Sequence, residues 1–273
     1  MFTICPKIKE RKKDMIDLRQ GDCLELMKDI PDKSIDMILC DLPYGTTACK
    51  WDIVIPFDKL WEQYNRIIKD NGAIVLFGSE PFSSKLRMSN LKNYKYDWKW
   101  LKSRKTGFQM VRKRPLKCYE DILVFYKKQP IYHNTELIKL EKPINSYRKN
   151  GKGGALLNTI KCQKGRTQEY TNYNKDTLCF NNEHNINAFH PTQKPVALLE
   201  YLIKTYTNEG DTVLDNCAGS MSTVIASTNT NRNCIAIEKD KNYFEIGKKR
   251  VIEHLKTNNI SANLVIFDNE CAI

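Results

Sequence analysis

Apolar and polar positions along the chain alternate between two periods. "MIDLRQGD" (15–22) predicts a short strand running into a turn, and "CLELMKDI" (23–30) a helix ended by Pro31. "IDMILCD" (35–41) reads as a mostly apolar run suited to a buried parallel strand. "PFDKLWEQYNRIIKDNG" (56–72) follows with helical spacing, Leu60, Tyr64, Ile67 and Ile68 sharing one side, and its "DNG" stop leads into the strand "AIVLFG". "EPFSSKLRMSN" (80–90) predicts another helix. After residue 194 the same alternation returns: helix (195–211, with a glycine stop), strand (212–215), helix (220–230), strand (233–238), helix (241–256) and a last edge strand, "NLVIF". Strands alternating with helices predict an α/β fold, a doubly wound, mostly parallel sheet covered on both sides.

The middle of the chain breaks this rhythm. "YKYDWKWLK" (94–102) places Tyr94, Tyr96, Trp98 and Trp100 on one face of a strand, and "DILVFYKK" supplies a second. Such a row of rings either stacks nucleobases or packs a sheet face, and packing is the more frequent use. From Gln129 to His190 periodicity is lost in a polar, glycine-bearing, basic stretch, "KNGKGGALLNTIKCQKGRTQEYTNYNK" within it. A long loop of this kind is usually functional or disordered. The expected division is therefore 1–128, a basic region 129–189, and 190–273.

Charge sharpens the picture. The net charge of +12 lies wholly between Tyr94 and Phe189, where 20 Lys and Arg face 8 Asp and Glu. A segregated excess points to a face for a polyanion rather than to solubility alone; a basic disordered insert is the competing explanation. The 10 cysteines include no C-x-x-C pair and no Cys/His cluster with metal spacing, so they read as buried or free thiols in a reducing cytoplasm, with no metal expected. The first residues are too charged for a signal peptide, and no apolar run is long enough to span a membrane.

Two segments carry candidate chemistry. In "DTVLDNCAGSMST" (211–223) a strand ends in Asp215 and turns through Ala218, Gly219 and Ser220 into a helix, where small residues let a ligand approach the backbone. Glu238, at the end of the next strand, suits an acid accepting hydrogen bonds from ribose hydroxyls. G-x-G-x-x-G is absent, so a nucleoside without a diphosphate fits better. In "LCDLPYGTTACKWD" (39–52), Asp41 and the Leu42 carbonyl, aimed by Pro43, form two acceptors for an exocyclic amine. Tyr44 adds a flat face for a base taken out of its stack. The plain alternative is a turn, for which the same residues serve equally well.

Together these motifs resemble the β-class amino-methyltransferases of DNA, which modify N6 of adenine or N4 of cytosine with S-adenosyl-L-methionine. "DLPY" is similar to their D-P-P-Y motif, "LDNCAGSMST" to D-P-F-x-G-S-G-T-T, and "HPTQKPVALLEYLI" (190–203) to the segment before the cofactor strand. The order, catalytic motif first, is that of the circularly permuted β class. The resemblance implies that Asp41 and the Leu42 carbonyl hold the amine, that Pro43 sets that carbonyl, and that Tyr44 stacks on the flipped base. It places Asp215, Gly219 and Ser220 along the cofactor, Glu238 on its ribose, and Lys194, His190 and Thr192 near its methionine end. Asp22 resembles the acid reaching the cofactor's adenine, though a helix N-cap explains it equally.

The chain departs from the pattern at Leu42, Asn216, Cys217 and Met221. Leu42 changes little, since a backbone carbonyl is what is needed, whereas Met221 for glycine puts the cofactor turn in question. Asp41, where cytosine-N4 enzymes usually carry serine, favours adenine. The basic middle would contact DNA through Lys102, Arg104, Lys105, Arg112, Lys113, Arg114 and Lys117, and from the loop through Arg148, Lys149, Lys152, Lys164 and Arg166. The expected activity is adenine-N6 methylation of DNA. The rivals are cytosine-N4 or RNA methylation, a protein glutamine substrate, or a DNA-binding relative without catalysis. A second copy of the chain and a cognate restriction endonuclease are the further partners the resemblance suggests.

Overall fold

The computed structural model describes residues 14–47, 49, 52–146, 166–181 and 193–267. The alternating pattern folds as β1 (Asp14–Gln20), α1 (Cys23–Leu26), β2 (Ile35–Cys40), α2 (Phe57–Ile67), β3 (Ile68–Gly78), α3 (Phe82–Ser89), β4 (Tyr94–Thr106) and β5 (Lys117–Phe125). β6 (Ile138–Ser146) and β7 (Arg166–Thr171) lie in the basic stretch. They are followed by β8 (Thr177–Phe180), α4 (Val196–Tyr206), β9 (Thr212–Asp215), α5 (Ser222–Asn229), β10 (Asn233–Glu238), α6 (Lys241–Thr257) and β11 (Ala262–Phe267). No described helix is long and apolar enough to cross a membrane.

Nine strands form one sheet in the order β11-β1-β10-β9-β2-β3-β5-β4-β8, parallel except where β5 runs against β3 and β4. Central strands are buried on both faces, as the apolar run at 35–40 requires. Ile38 and Cys40 face a core with Leu60, Tyr64 and Phe82 of α2 and α3, while Met37 and Leu39 face one with Leu198, Leu202 and Tyr206 of α4. A third core under α5 and α6 covers β1 and β10 through Ile16, Leu18, Val224 and Phe244.

Three expectations change. The helix α2 stops at Ile67, and Ile68 opens β3 instead of completing the helical face; it pairs with Ile35, and the strand then bulges before Ala73 meets Met37. "DNG" thus lies in a bulged strand, and Gly72 is needed there because a Cβ would stand 2.7 Å from the Ile68 side chain. The aromatic row is split as well. A register shift after Tyr94 turns that ring toward Phe125, whereas Trp98 and Trp100 enter the α4 core. Trp98 Nε1 donates to Tyr206 OH at 2.7 Å and Trp100 Nε1 to the Phe180 carbonyl at 3.0 Å, so these rings serve packing. Finally, the stretch without periodicity contains strands. Asn134–Lys175 is a separate small unit built on the antiparallel β6–β7 pair, whose described side chains are mostly exposed, so no alternation marks it.

The cofactor-like turn shows how Met221 is accommodated. Met221 caps α5 in the left-handed conformation (φ 60°), the region that favours glycine, and its side chain is fully buried in the third core. Gly247 of α6 makes the room: a Cβ there would lie 2.7 Å from Met221 Cγ and 3.1 Å from the Gly219 carbonyl. Gly247→Ala should therefore cost about 1–3 kcal/mol of stability by overpacking. Denaturant unfolding of the variant checks this; an unchanged midpoint would mean that Met221 yields freely.

Candidate active site

β2 leaves the sheet at Cys40, and the first residue beyond it, Asp41, is held from two sides. Tyr44 OH donates to Oδ1 at 2.7 Å and Lys194 Nζ to Oδ2 at 2.6 Å. Lys194, on the approach to α4, is buried, lies 3.2 Å from Glu120 Oε2, and sits over the Phe77 ring. Glu120 pairs in turn with Lys102. Asp41, Lys194, Glu120 and Lys102 form a line of alternating charge across β2, β5 and β4. Burial works against the Lys194 ammonium, yet Asp41 and Glu120 outweigh it and hold its pKa above the ordinary lysine value. Burial alone would raise the Glu120 carboxyl, but the two lysines keep it below its ordinary value. The Tyr44 ring stacks on Phe82 (centroids 4.9 Å apart), and burial together with the Asp41 charge raises its phenol well above the usual pKa.

The loop after this motif is set by a residue that sequence reasoning missed. Asp52 is buried and accepts from the backbone N–H groups of Gly45, Thr46 and Thr47 and from the Thr47 hydroxyl, all within 2.9 Å. An acid closing a Gly-Thr-Thr turn was the available signal. Glu120 was missed too; its mark was a charge leading into the apolar end of β5.

Across the sheet, Asp215 ends β9. Its carboxylate accepts from Cys217 N at 3.1 Å and Thr223 Oγ1 at 2.6 Å, and burial raises its pKa to about 6 against those hydrogen bonds. Glu238 ends β10 and accepts from Gly219 N and Asp240 N, both at 2.7 Å, while burial raises its pKa. Arg250 of α6 donates to the Ser220 carbonyl at 2.8 Å and fixes the turn from behind. Asp22 is the N-cap of α1, accepting from Leu24 N at 2.9 Å, and pairs with Lys239 at 3.0 Å. Cys217, standing in the phenylalanine position, packs against the core that holds Cys23 and Cys40.

One cavity of about 480 Å³ joins the two halves. Asp41, Pro43 and Lys194 line it, together with Asp22, Asp215, Gly219, Ser220 and Glu238; Met221, turned into the core, is not among its walls. Leu42 is buried, and neither its side chain nor Tyr44 is among the walls of the cavity. Of the expected DNA contacts, Arg104, Lys105, Arg112, Lys113 and Arg114 are exposed on the β4–β5 arm. Lys102 is turned inward to Glu120, and Lys117 donates to Ser79 Oγ at 2.7 Å. His190, Thr192, Arg148, Lys149, Lys152 and Lys164 lie outside the described residues, as does the side chain of Arg166. Among the described residues no cluster of His, Cys, Asp and Glu is arranged to hold a metal ion.

Comparison with known proteins bears on the family and the fold. The DNA methylase family N6_N4_Mtase matches residues 35–249. The chain is 28% identical over 245 residues to the type II methyltransferase M.HpaI of Haemophilus parainfluenzae, covering 85% of this chain and 72% of that protein. It is 29% identical over 255 residues to the DNA adenine methyltransferase YhdJ of Escherichia coli K12, covering 85% and 81%. Among solved structures, M1.HpyAVI in complex with SAM superposes with a TM-score of 0.58 at 26% identity, over 87% of this chain and 99% of that one. The cytosine-N4-specific PvuII methyltransferase has a TM-score of 0.63 at 16% identity over 93% and 98%, a likeness of fold.

The buried Asp215 gives a pH test. With its pKa raised from an ordinary 3.8 to about 6, the native state binds more protons than the unfolded chain between these values. Its contribution to stability therefore falls as pH rises from about 4 to about 6. Relative to the parent, Asp215→Asn should gain up to about 3 kcal/mol across that window. Denaturant unfolding of both proteins at several pH values, without cofactor, measures it; a difference independent of pH would contradict the assignment.

Proposed function

The chain belongs to the N6/N4 DNA methylase family, and on that premise we propose that it moves a methyl group from S-adenosyl-L-methionine to N6 of an adenine taken out of the DNA stack. The observation that carries the reading is the single cavity onto which Asp41 and Pro43 at the end of β2 and Asp215 and Glu238 at the ends of β9 and β10 all open. Its volume lies in the range of small-ligand sites. Its donor set also suits a nucleoside bearing an amino acid: Glu238 for the ribose hydroxyls, the Gly219–Ser220 backbone for close approach, and Asp22 toward the base. When bound, the cofactor supplies a sulfonium methyl that is electrophilic without help from a metal.

The chain's own contribution is then placement and charge. Asp41 and the Leu42 carbonyl accept the two amine hydrogens, which aims the nitrogen lone pair toward the cofactor side of the cavity. Lys194 bonded to Oδ2 and Tyr44 bonded to Oδ1 fix the Asp41 carboxylate, so it meets the positive charge growing on the amine without reorganising. A carboxylate at this position, rather than a hydroxyl, favours adenine. Tyr44, backed by Phe82, is the surface against which the extruded base lies. The exposed cations of the β4–β5 arm hold phosphates, which makes binding strongly salt-dependent.

Incubation with mixed-sequence duplex DNA and methyl-labelled S-adenosyl-L-methionine, followed by digestion to nucleosides, tests the proposal. Label is expected in N6-methyladenine, with loss of about 100-fold or more in Asp41→Ala. Calorimetric cofactor binding by the variant should stay close to that of the parent. Label in N4-methylcytosine would overturn the base assignment, and no label in DNA would overturn the reaction.

A further inference from the structure

Between β4 and β5 the chain forms an arm whose tip is unlike the rest of the surface. From Lys102 to Lys117 it carries seven Lys and Arg and no acid. Yet Phe108, Val111 and Met110 at its tip are 63%, 54% and 38% exposed. Gly107, at φ 93°, turns the arm where a Cβ would meet nothing within 4 Å. The tip has its own frame: Met110 N donates to the Gly107 carbonyl at 2.9 Å, Val111 N to Phe108 at 3.2 Å, and Lys113 N to Met110 at 2.8 Å. Exposed apolar side chains thus stand on a short helical turn, flanked along the chain by the exposed Arg104, Lys105, Arg112, Lys113 and Arg114.

That combination restricts the partner. A protein surface with an apolar pocket would face a concentrated positive charge, whereas duplex DNA offers anionic phosphates outside and apolar base faces inside. The arm is also tied to the proposed chemistry at its base. Lys102 pairs with Glu120, which lies 3.2 Å from Lys194, itself 2.6 Å from Asp41; Lys117 donates to Ser79 Oγ at 2.7 Å and to the Glu80 carbonyl at 3.3 Å. Phe108 lies six positions beyond Lys102. At about 3.3 Å per residue the tip reaches up to about 20 Å from that base, enough to pass from the phosphate shell to the axis of a duplex.

We propose that Phe108, supported by Val111, is a wedge that enters the base stack at the position from which the target base is extruded. The cations beside it grip the flanking phosphates, and the ring covers the apolar faces that extrusion leaves exposed. The proposal rests on the methyl-transfer reading above and adds a residue that acts on the duplex rather than on the reacting amine.

The test uses the full chain and a duplex carrying its methylated sequence, with the target base opposite either its normal partner or an abasic position. An abasic position already lacks the pairing and stacking that a wedge must overcome. Phe108→Ala should lower methylation of the paired duplex by about ten-fold or more but that of the abasic duplex by no more than about two-fold, and Phe108→Trp should retain activity on both. In parallel, 2-aminopurine at the target position should brighten with the parent protein and not with Phe108→Ala. Equal loss on both duplexes, or loss on neither, would overturn the wedge alone. A parent protein that methylates neither duplex would overturn the methyl-transfer reading beneath it, and the wedge with it.

Discussion

The structure depends on one pairing, that of β2 with β9. Met37 lies beside Val213 and Ile38 beside Leu214, although each pair is separated by most of the chain. From this seam the strands step outward in both directions, β3 on one side and β10 on the other. A doubly wound sheet opens a crevice at the carboxyl ends of its strands where the winding reverses. Two acids that end neighbouring strands therefore meet one cavity, and their proximity follows from topology before any side-chain contact is considered. The register leaves little freedom: a slip of one residue would exchange Ile38 and Cys40 with Met37 and Leu39, moving each set into the opposite core.

The second organising feature is electrostatic. A buried ion pair is weak evidence for stability, because removing charges from water costs several kcal/mol per ion. The row from Asp41 to Lys102 places four such charges across three strands with little access to solvent. Each interior member has an opposite charge on both sides, which offsets desolvation and leaves Asp41 oriented. Fixed orientation of this kind suits a site whose work is to aim a weak nucleophile, and preformed dipoles and charges act most strongly where water is excluded.

Much of this could be read from residues alone, and the exceptions have physical reasons. The parallel sheet was legible because strands buried on both faces must be largely apolar, and "MILC" in β2 and "CIAI" in β10 are unbroken runs. The ends of β2, β9 and β10 were legible because an acid directly after such a run leaves the sheet at its carboxyl edge. The β6–β7 pair was not, since a two-stranded ribbon with no buried face has no reason to alternate. Tyr94 was misplaced by a bulge, which no pattern of side chains announces. Lys102 read as one of the DNA contacts; only the fold brings Glu120 beneath it. Asp52 acts through backbone N–H groups, which leave little trace in residue identity.

Met221 and Gly247 carry a consequence for how sequence motifs are compared. Glycine at 221 is what the resemblance leads one to expect, and it would relieve a left-handed backbone by roughly 1–2 kcal/mol. It would also empty a fully buried methionine site beside a helix whose own side chain is missing there, and such truncations cost about 2–5 kcal/mol. The turn and α6 are thus a single unit of sequence, in which the better residue at one position depends on the other. Restoring the motif by itself would weaken this protein, so a consensus built column by column misjudges the site, and the two positions have to be exchanged together.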